Sequence, residues 1–117
     1  MTGTSATPRD PSAVLTHVVQ FVIPRRAADA VDFTTLTRQG LEAGVAKPTF
    51  RRNAQKVGPG LERVTCTVEM ALKLIDALGS AAVAAEQHKH PEIQVDCSHA
   101  VASAFSAIDR EILAHQR

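Results

Sequence analysis

Two long stretches in the second half of the chain repeat apolar residues at helical spacing, and they constrain the fold more than any other feature. The first stretch, residues 69–88, is predicted to be a helix with a buried stripe of Met70, Leu74, Leu78, Ala81 and Ala85. The second, residues 91–115, holds the same period through Ile93, Cys97, Val101, Ala104, Ile108 and Ile112. Pro91 is favoured in the first turn of a helix. Because only Lys89 and His90 separate the two stretches, the sequence predicts an antiparallel helical hairpin.

Length and composition limit the remaining possibilities. The chain has 117 residues, which is the size of one domain. It has no Trp or Tyr and four Phe, which argues against an aromatic platform for sugars or single-stranded nucleic acid. Residues 1–12 are polar and contain two prolines, so a disordered tail is expected before a single domain over residues 13–117. No apolar run approaches the about 20 residues of a membrane span, and no signal peptide is recognisable, so the expectation is a soluble cytoplasmic protein with reduced thiols.

The first half of the domain is less periodic. Residues 13–23 fit either a strand or a helix, and the helical context of the chain favours a helix there. Pro24 ends that element in either case. A short helix is expected over residues 25–32. One short strand is expected over residues 63–68, after the turn residues of the loop that starts at Gly58.

Residues 34–56 carry the pattern that points to a function. Gly40 is small enough for two helices to cross closely, and Gly44 provides a left-handed turn residue without a Cβ penalty. Val45 is placed to fill the inside of the turn. Phe50 is placed to be the buried residue of a second helix, whose long polar side chains then face outward.

These residues resemble a known DNA-binding motif. The run from Ala43 to Phe50, Ala-Gly-Val-Ala-Lys-Pro-Thr-Phe, is similar to the helix-turn-helix of the lambda-repressor-like, lac-repressor and tetracycline-repressor families. The stretch from Val64 to Gly79 is similar to the later helices of the lambda-repressor-like class, above all in antitoxin-type regulators. The resemblance covers about residues 34–79 and departs from the motif at Gln39 and Asn53, where apolar residues are usual.

The resemblance implies a fold, a function and a set of contacts. The fold is mainly α: a helix-turn-helix bundle followed by the C-terminal helical hairpin, with one or two short strands. The function is that of a sequence-specific DNA-binding transcriptional regulator, a repressor or antitoxin-like autoregulator, whose helix over about residues 46–55 enters the major groove. The expected DNA contacts are Thr35, Arg38, Ala46, Lys47, Pro48, Thr49, Arg51, Arg52, Gln55 and Lys56. An antitoxin-like protein would also have a toxin-like protein partner, which the sequence does not identify.

The charge distribution agrees with a polyanionic partner for the first half. Residues 1–63 hold nine Lys or Arg and five Asp or Glu, whereas residues 64–117 hold four and seven. The basic half suits double-stranded DNA, and the acidic half suits packing or a protein partner. The stripe on residues 91–115 is longer than one partner helix needs. A homodimer built on the helices at 69–115 is therefore expected, through Ile93, Cys97, Val101, Ile108 and Ile112.

Three alternatives remain open. Imidazole and thiolate suit a metal ion, and the candidate ligands of such a site are His88, His90, Cys97 and His99. The segment from Glu86 to Ile93 faintly resembles the His-His-Pro motif of pterin carbinolamine dehydratases, with Lys89 in place of the first His. A ribbon-helix-helix protein would use residues 18–24 as its strand. The favoured expectation is a protein that is not an enzyme and has no cofactor.

Overall fold

The computed structural model describes residues 11–116. A 3₁₀-helical segment, Pro11–Thr16, leads into strand β1, Val18–Pro24, and the short helix α1, Arg25–Asp29. Helix α2 spans Phe33–Glu42, and strands β2 and β3 span Arg51–Asn53 and Leu61–Thr67. Helices α3, Val68–Gln87, and α4, Pro91–His115, complete the chain. The fold is mainly helical, as expected, but it contains a three-stranded antiparallel sheet of order β1-β3-β2.

The C-terminal hairpin confirms the helical periodicity. Thr67 caps α3 by accepting a hydrogen bond from the Met70 amide at 3.3 Å, and Pro91 stands in the first turn of α4. Helix α4 lies along both α3 and β1, so the hairpin covers one face of the sheet. The core between them contains Ile23, Val64, Met70, Leu74, Leu78 and Cys97, all fully buried.

Residues 18–24 form a strand, so the helix favoured for residues 13–23 is wrong over most of its length. Val18–Pro24 pairs along its whole length with Leu61–Thr67. Val19 and Phe21 pack into the core, while Gln20 between them is exposed. The β-branched residues of this segment suit such a half-buried surface, and that preference prevails because a partner strand is available. The expected tail over residues 1–12 lies mostly outside the described residues, and Pro11 and Ser12 belong to the 3₁₀-helical segment.

Helix α2 ends as the sequence predicts. Asp32 caps its start through the Thr35 amide, and the hydrogen bond from the Thr35 hydroxyl holds the pKa of Asp32 below its usual value. At its other end Gly44 has φ +77°, and the Val45 amide donates to the Gly40 carbonyl at 2.9 Å. This is the left-handed helix ending expected at Gly44.

No second helix follows the turn at Gly44. Residues 43–50 run as an irregular segment, and Arg51–Asn53 pair with Arg63–Thr65 as strand β2. Two physical causes act together. Pro48 disfavours the helical conformation at Lys47, and β3 offers an unpaired edge whose backbone groups β2 satisfies. The helix-turn-helix is therefore not confirmed, and the helix expected over residues 46–55 is absent.

Gly40 has a packing role that differs from the one expected. A Cβ atom at Gly40 would lie 2.8 Å from Pro48 Cβ and 2.9 Å from Met70 Sδ. Gly40 thus admits a buried proline and a core methionine of α3, rather than the second helix of a helix-turn-helix motif.

A Gly40→Ala substitution should lower the free energy of unfolding by about 1–3 kcal/mol, as overpacking does. The proline ring has little freedom to move aside. Urea denaturation of the variant measures this loss, with Gly79→Ala as the matched helical control because a Cβ at Gly79 meets no atom within 4 Å. An equal change in the free energy of unfolding of Gly40→Ala and Gly79→Ala would contradict the packing role of Gly40.

Candidate nucleic-acid interface

The side of the sheet away from the helical hairpin is open. Residues alternate between the two faces of a strand, and cross-strand partners share a face. Arg51 is paired with Thr65, which is also opposite Gln20, and Asn53 is paired with Arg63. These five polar residues lie on the open face, and each of them is exposed or partly exposed. Val18 and Val22 of β1 belong to the same face, because Val22 is paired with Arg63 and Val18 alternates with it along the strand.

Strands β2 and β3 and the turn between them, residues 54–60, form a β-hairpin, here called the basic hairpin. In its turn, Lys56, Gly58 and Gly60 have positive φ, and the Asn53 side chain accepts a hydrogen bond from the Gln55 amide at 2.7 Å. Every residue of β2 and all but Val57 in the turn are exposed. Strand β2 and the turn therefore present their side chains to solvent, whereas β3 is the central strand of the sheet and its residues are buried or partly buried.

The cations of this region are mostly free. Within the part of the chain that the structure describes, Lys47, Arg51, Lys56 and Arg63 take part in no ion pair. Residues 43–67 hold five Lys or Arg and a single acidic residue, Glu62. Since Glu62 is buried and paired, no acidic side chain of this segment opposes the free cations at the surface.

Arg52 differs from its neighbour Arg51 because adjacent strand residues face opposite ways. Its Nε and Nη2 atoms donate to the two carboxylate oxygens of Glu62 at 2.8 and 2.7 Å. Its guanidinium also lies 4.6 Å above the Phe33 ring and 3.6 Å from Asp29. The hydrogen bonds with Glu62 raise the pKa of Arg52. Arg52 thus links β2, β3 and α2, and its charge is already partnered within the chain.

A depression of about 510 Å³ lies beside the open face, where the irregular segment meets β3. Lys47 and Arg51 line it together with the hydroxyl-bearing residues Thr49, Thr65 and Thr67. Cations with nearby hydroxyl donors are the groups that bind phosphate oxygens in protein–DNA complexes. The acidic residue Glu69 lines a smaller cavity together with Lys47.

The other residues expected at a DNA interface are spread more widely. Pro48 is buried behind Gly40, and Ala46 lies exposed in the irregular segment. On α2, the Thr35 hydroxyl donates to Asp32 at 2.8 Å, and Arg38 is exposed beside a groove that Phe50 also lines. The structure therefore brings Lys47, Thr49 and Arg51 together and places Gln55 and Lys56 in the hairpin turn. Thr35 and Arg38 belong to a separate helix.

Sequence reasoning missed Arg63, Thr65 and Gln20 as members of the open face. A signal for two of them was present in the sequence, because the polar residues Arg63, Thr65 and Thr67 alternate with the apolar residues Val64 and Cys66. That alternation is typical of a half-buried strand. What the sequence did not show is that β1 and β2 flank β3 and align their polar residues with Arg63 and Thr65.

The alternative sites are not assembled. Among residues 11–116 no group of three or more His, Cys, Asp or Glu side chains is arranged to hold a metal ion. His88, His90 and His99 are exposed, whereas Cys97 is fully buried in the core. Residues 91–115 are helical, and β1 pairs within the chain, unlike the intersubunit strand of a ribbon-helix-helix protein.

Phe50 keeps a packing role without a second helix. It is partly buried, and its ring meets Phe33 edge-to-face with a centroid distance of 5.0 Å. This contact holds the start of β2 against α2.

Comparisons with known proteins add no relative. No protein-family model matches the chain, and no curated protein or solved structure matches it. No helix among the described residues is long and apolar enough to cross a membrane.

Proposed function

We propose that this protein binds double-stranded DNA as a regulator, with the basic hairpin and the open face as its contact surface. The observation that carries the proposal is the set of unpaired cations, Lys47, Arg51, Lys56 and Arg63, within a segment whose single carboxylate is neutralised internally. The major groove of B-DNA admits a two-stranded β-ribbon as well as a helix. The expected partner is therefore the one inferred from the sequence, but the reading element is a β-hairpin.

The side chains of the basic hairpin divide into two chemical groups. Lys56 and Lys47 are point charges that suit phosphates, which position the protein without reading sequence. Arg51, Asn53 and Gln55 carry planar groups that form bidentate hydrogen bonds with guanine or adenine edges. Arg51 and Asn53 lie on the open face, two residues apart on one strand. Sequence discrimination is therefore assigned to Arg51 and Asn53.

The test is a salt titration of DNA binding. Each phosphate contact that is lost lowers the slope of log K against log salt by about one unit and weakens binding about tenfold near 0.1 M salt. We expect Lys56→Ala and Lys47→Ala each to cause this loss equally on specific and scrambled duplexes. Arg51→Ala should also reduce the difference in affinity between the specific and the scrambled duplex, since a bidentate base contact contributes about 1–3 kcal/mol of discrimination. The first DNA to test as the specific duplex is the region upstream of the protein's own coding sequence.

Matched controls come from the acidic half of the chain. Arg110 on α4 and Lys89 in the turn between α3 and α4 are exposed cations that do not belong to the sheet. Arg110→Ala and Lys89→Ala should bind DNA like the wild type, and all these surface variants should keep their thermal stability. The proposal would be overturned if the wild-type protein bound no duplex at about 0.05 M salt. It would also be overturned if Lys47→Ala, Lys56→Ala and Arg51→Ala kept the wild-type slope of log K against log salt. Preference for single-stranded nucleic acid over duplex would also overturn it.

A further inference from the structure

Strand β1 lies at an outer edge of the three-stranded sheet, and β3 uses only one side of its backbone. The His17 carbonyl accepts a hydrogen bond from the Val68 amide, and the Arg25 amide donates one to the Gly60 carbonyl, both at 2.8 Å. These two bonds define which residues face β3, because hydrogen-bonded pairs alternate along an antiparallel ladder. The residues whose N–H and C=O groups point away from β3 are therefore Val18, Gln20 and Val22.

The outer edge of β1 lacks the features that protect exposed strands from pairing with another chain. Natural edge strands are short, carry charged side chains, or contain a bulge or an internal proline. Strand β1 has seven residues in continuous register with β3, no charged residue, and a proline only at its last position. By contrast, β2 at the opposite edge has three residues, two of which are arginines. Val18 is 52% exposed and Gln20 is exposed, and in the described part of the chain their outward backbone groups have no hydrogen-bond partner.

The stripe on α4 that suggested a homodimer is largely used within the protomer. Cys97 and Ile108 are buried, and Ile93, Val101 and Ile112 pack partly against the core. These side chains hold α4 against the rest of the protomer. A dimer would therefore need a different surface.

The outward residues of β1 are complementary to a second copy of themselves. In chain order they are valine, glutamine and valine at positions 18, 20 and 22, which read the same in both directions. An antiparallel pair of β1 strands centred on Gln20 places valine opposite valine and glutamine opposite glutamine. In that register the three outward N–H groups of each strand meet the three outward C=O groups of the other. Pro24, which has no N–H, lies just beyond the last pair.

The charges at the two ends of β1 also favour an antiparallel copy. A Glu111 carboxylate oxygen lies 2.7 Å from His17 Nδ1 at the start of β1, and Arg25 follows its end. Arg25 is exposed and takes part in no ion pair among residues 11–116. Antiparallel pairing brings the end with the carboxylate beside the partner's free arginine, and it keeps the two Arg25 side chains at opposite ends of the strand pair.

We propose that β1 pairs antiparallel with β1 of a second copy of this chain, about a two-fold axis at Gln20. Such a contact is isologous, because each copy supplies the same edge. It joins the two sheets into one sheet of six strands, with a basic hairpin at each outer edge. It also satisfies the backbone groups that β1 leaves unpartnered in the protomer.

A charge swap at Gln20 tests the proposed pair. Sedimentation equilibrium without DNA should give twice the 12.5 kDa monomer mass for the wild type at tens of micromolar. Gln20→Lys and Gln20→Glu each place two like charges directly opposite each other, so each variant alone should have a severalfold higher dissociation constant. An equal mixture of the two variants should recover the dimer, because opposite charges then face each other. The matched controls, Leu41→Lys and Leu41→Glu on α2, are 63% exposed at that position, lie outside the sheet and should remain dimeric.

Amide hydrogen exchange measures the pairing residue by residue. In the dimer the amides of Val18, Gln20 and Val22 should be protected, and either dilution or Gln20→Lys should expose them. The amides of Val19 and Phe21, which face β3, should stay protected in both states and so show that the variant is folded.

The proposal would be overturned by a monomeric wild type, by single Gln20 variants that dimerise like the wild type, or by a mixture that fails to recover dimers. Outward amides that exchange fast in the dimer would show that the copies meet elsewhere, and would overturn it too. Since no DNA is present in these measurements, their outcome is independent of the proposed function.

Discussion

The free energy of unfolding should fall by a few kcal/mol between about pH 9 and about pH 12. Burial raises the pKa of the Cys66 thiol from 9.0 to about 12, because the thiolate would have to sit among apolar side chains. The folded state thus retains a proton that the unfolded chain releases above pH 9. The stabilisation is complete below the unfolded pKa and is lost as the pH rises toward the folded pKa. At about 1.4 kcal/mol per pKa unit, the loss approaches about 4 kcal/mol.

This alkaline transition is unusually easy to assign in this protein. The chain has no tyrosine, so no phenol titrates in the same range. Burial also raises the pKa of Cys97, so the second thiol acts in the same direction. Urea denaturation at a series of pH values measures the effect. Cys66→Ala should have a lower free energy of unfolding than the wild type near neutral pH. The alkaline decline of that free energy should be mostly absent in Cys66→Ala and only slightly reduced in Cys97→Ala. An alkaline decline that is identical in Cys66→Ala and the wild type would contradict the assignment.

Arg51 and Arg52 should behave as opposites when each is changed to alanine. Arg52→Ala should lower the free energy of unfolding by about 2–3 kcal/mol, because it leaves the buried Glu62 carboxylate without its partner. Loss of one member of a fully buried pair costs about 3–5 kcal/mol, and the smaller figure allows for the 38% exposure of the Arg52 side chain. Arg51→Ala should leave stability within about 0.5 kcal/mol of wild type and weaken DNA binding.

A double-mutant cycle separates the ion pair from other effects of Arg52. In a Glu62→Gln background no buried carboxylate remains, so Arg52→Ala should cost clearly less than in the wild type. The contact with the Phe33 ring persists in Glu62→Gln and accounts for the remaining cost. Thermal and urea denaturation of the four proteins provide the cycle. Equal destabilisation by Arg51→Ala and Arg52→Ala would show that the alternation of faces along β2 is wrong.

The ends of the helices were predictable because their causes are local. The hairpin helices predicted over residues 69–88 and 91–115 are observed at Val68–Gln87 and Pro91–His115. Apolar spacing and Pro91 act within one helix, and helical hydrogen bonds join residues four apart. The same holds at Gly44, where the left-handed helix ending depends on residues from Gly40 to Val45.

The candidate site could be predicted only as a region of the chain. The concentration of cations between Lys47 and Lys56 is a property of composition, and it supported the expectation of DNA binding that rested on the helix-turn-helix resemblance. The composition does not reveal which of those cations is without an ion-pair partner. Arg51 and Arg52 are identical and adjacent in the sequence, and only their pairing opposite Thr65 and Val64 assigns them to different faces.

The sequence by itself thus determined the helical hairpin, the left-handed ending of α2 at Gly44, and the basic character of residues 43–67. Tertiary structure decided that Val18–Pro24 is a strand, that Arg51–Asn53 joins the sheet, and that Arg63 belongs to the same surface as Arg51. The physical reason is the separation along the sequence of the residues that share backbone hydrogen bonds. A helix satisfies its backbone groups within its own segment, so local sequence specifies it. A strand depends on partners that are about ten to fifty residues away here, and the residues of β1 and β2 alone do not say where those partners are.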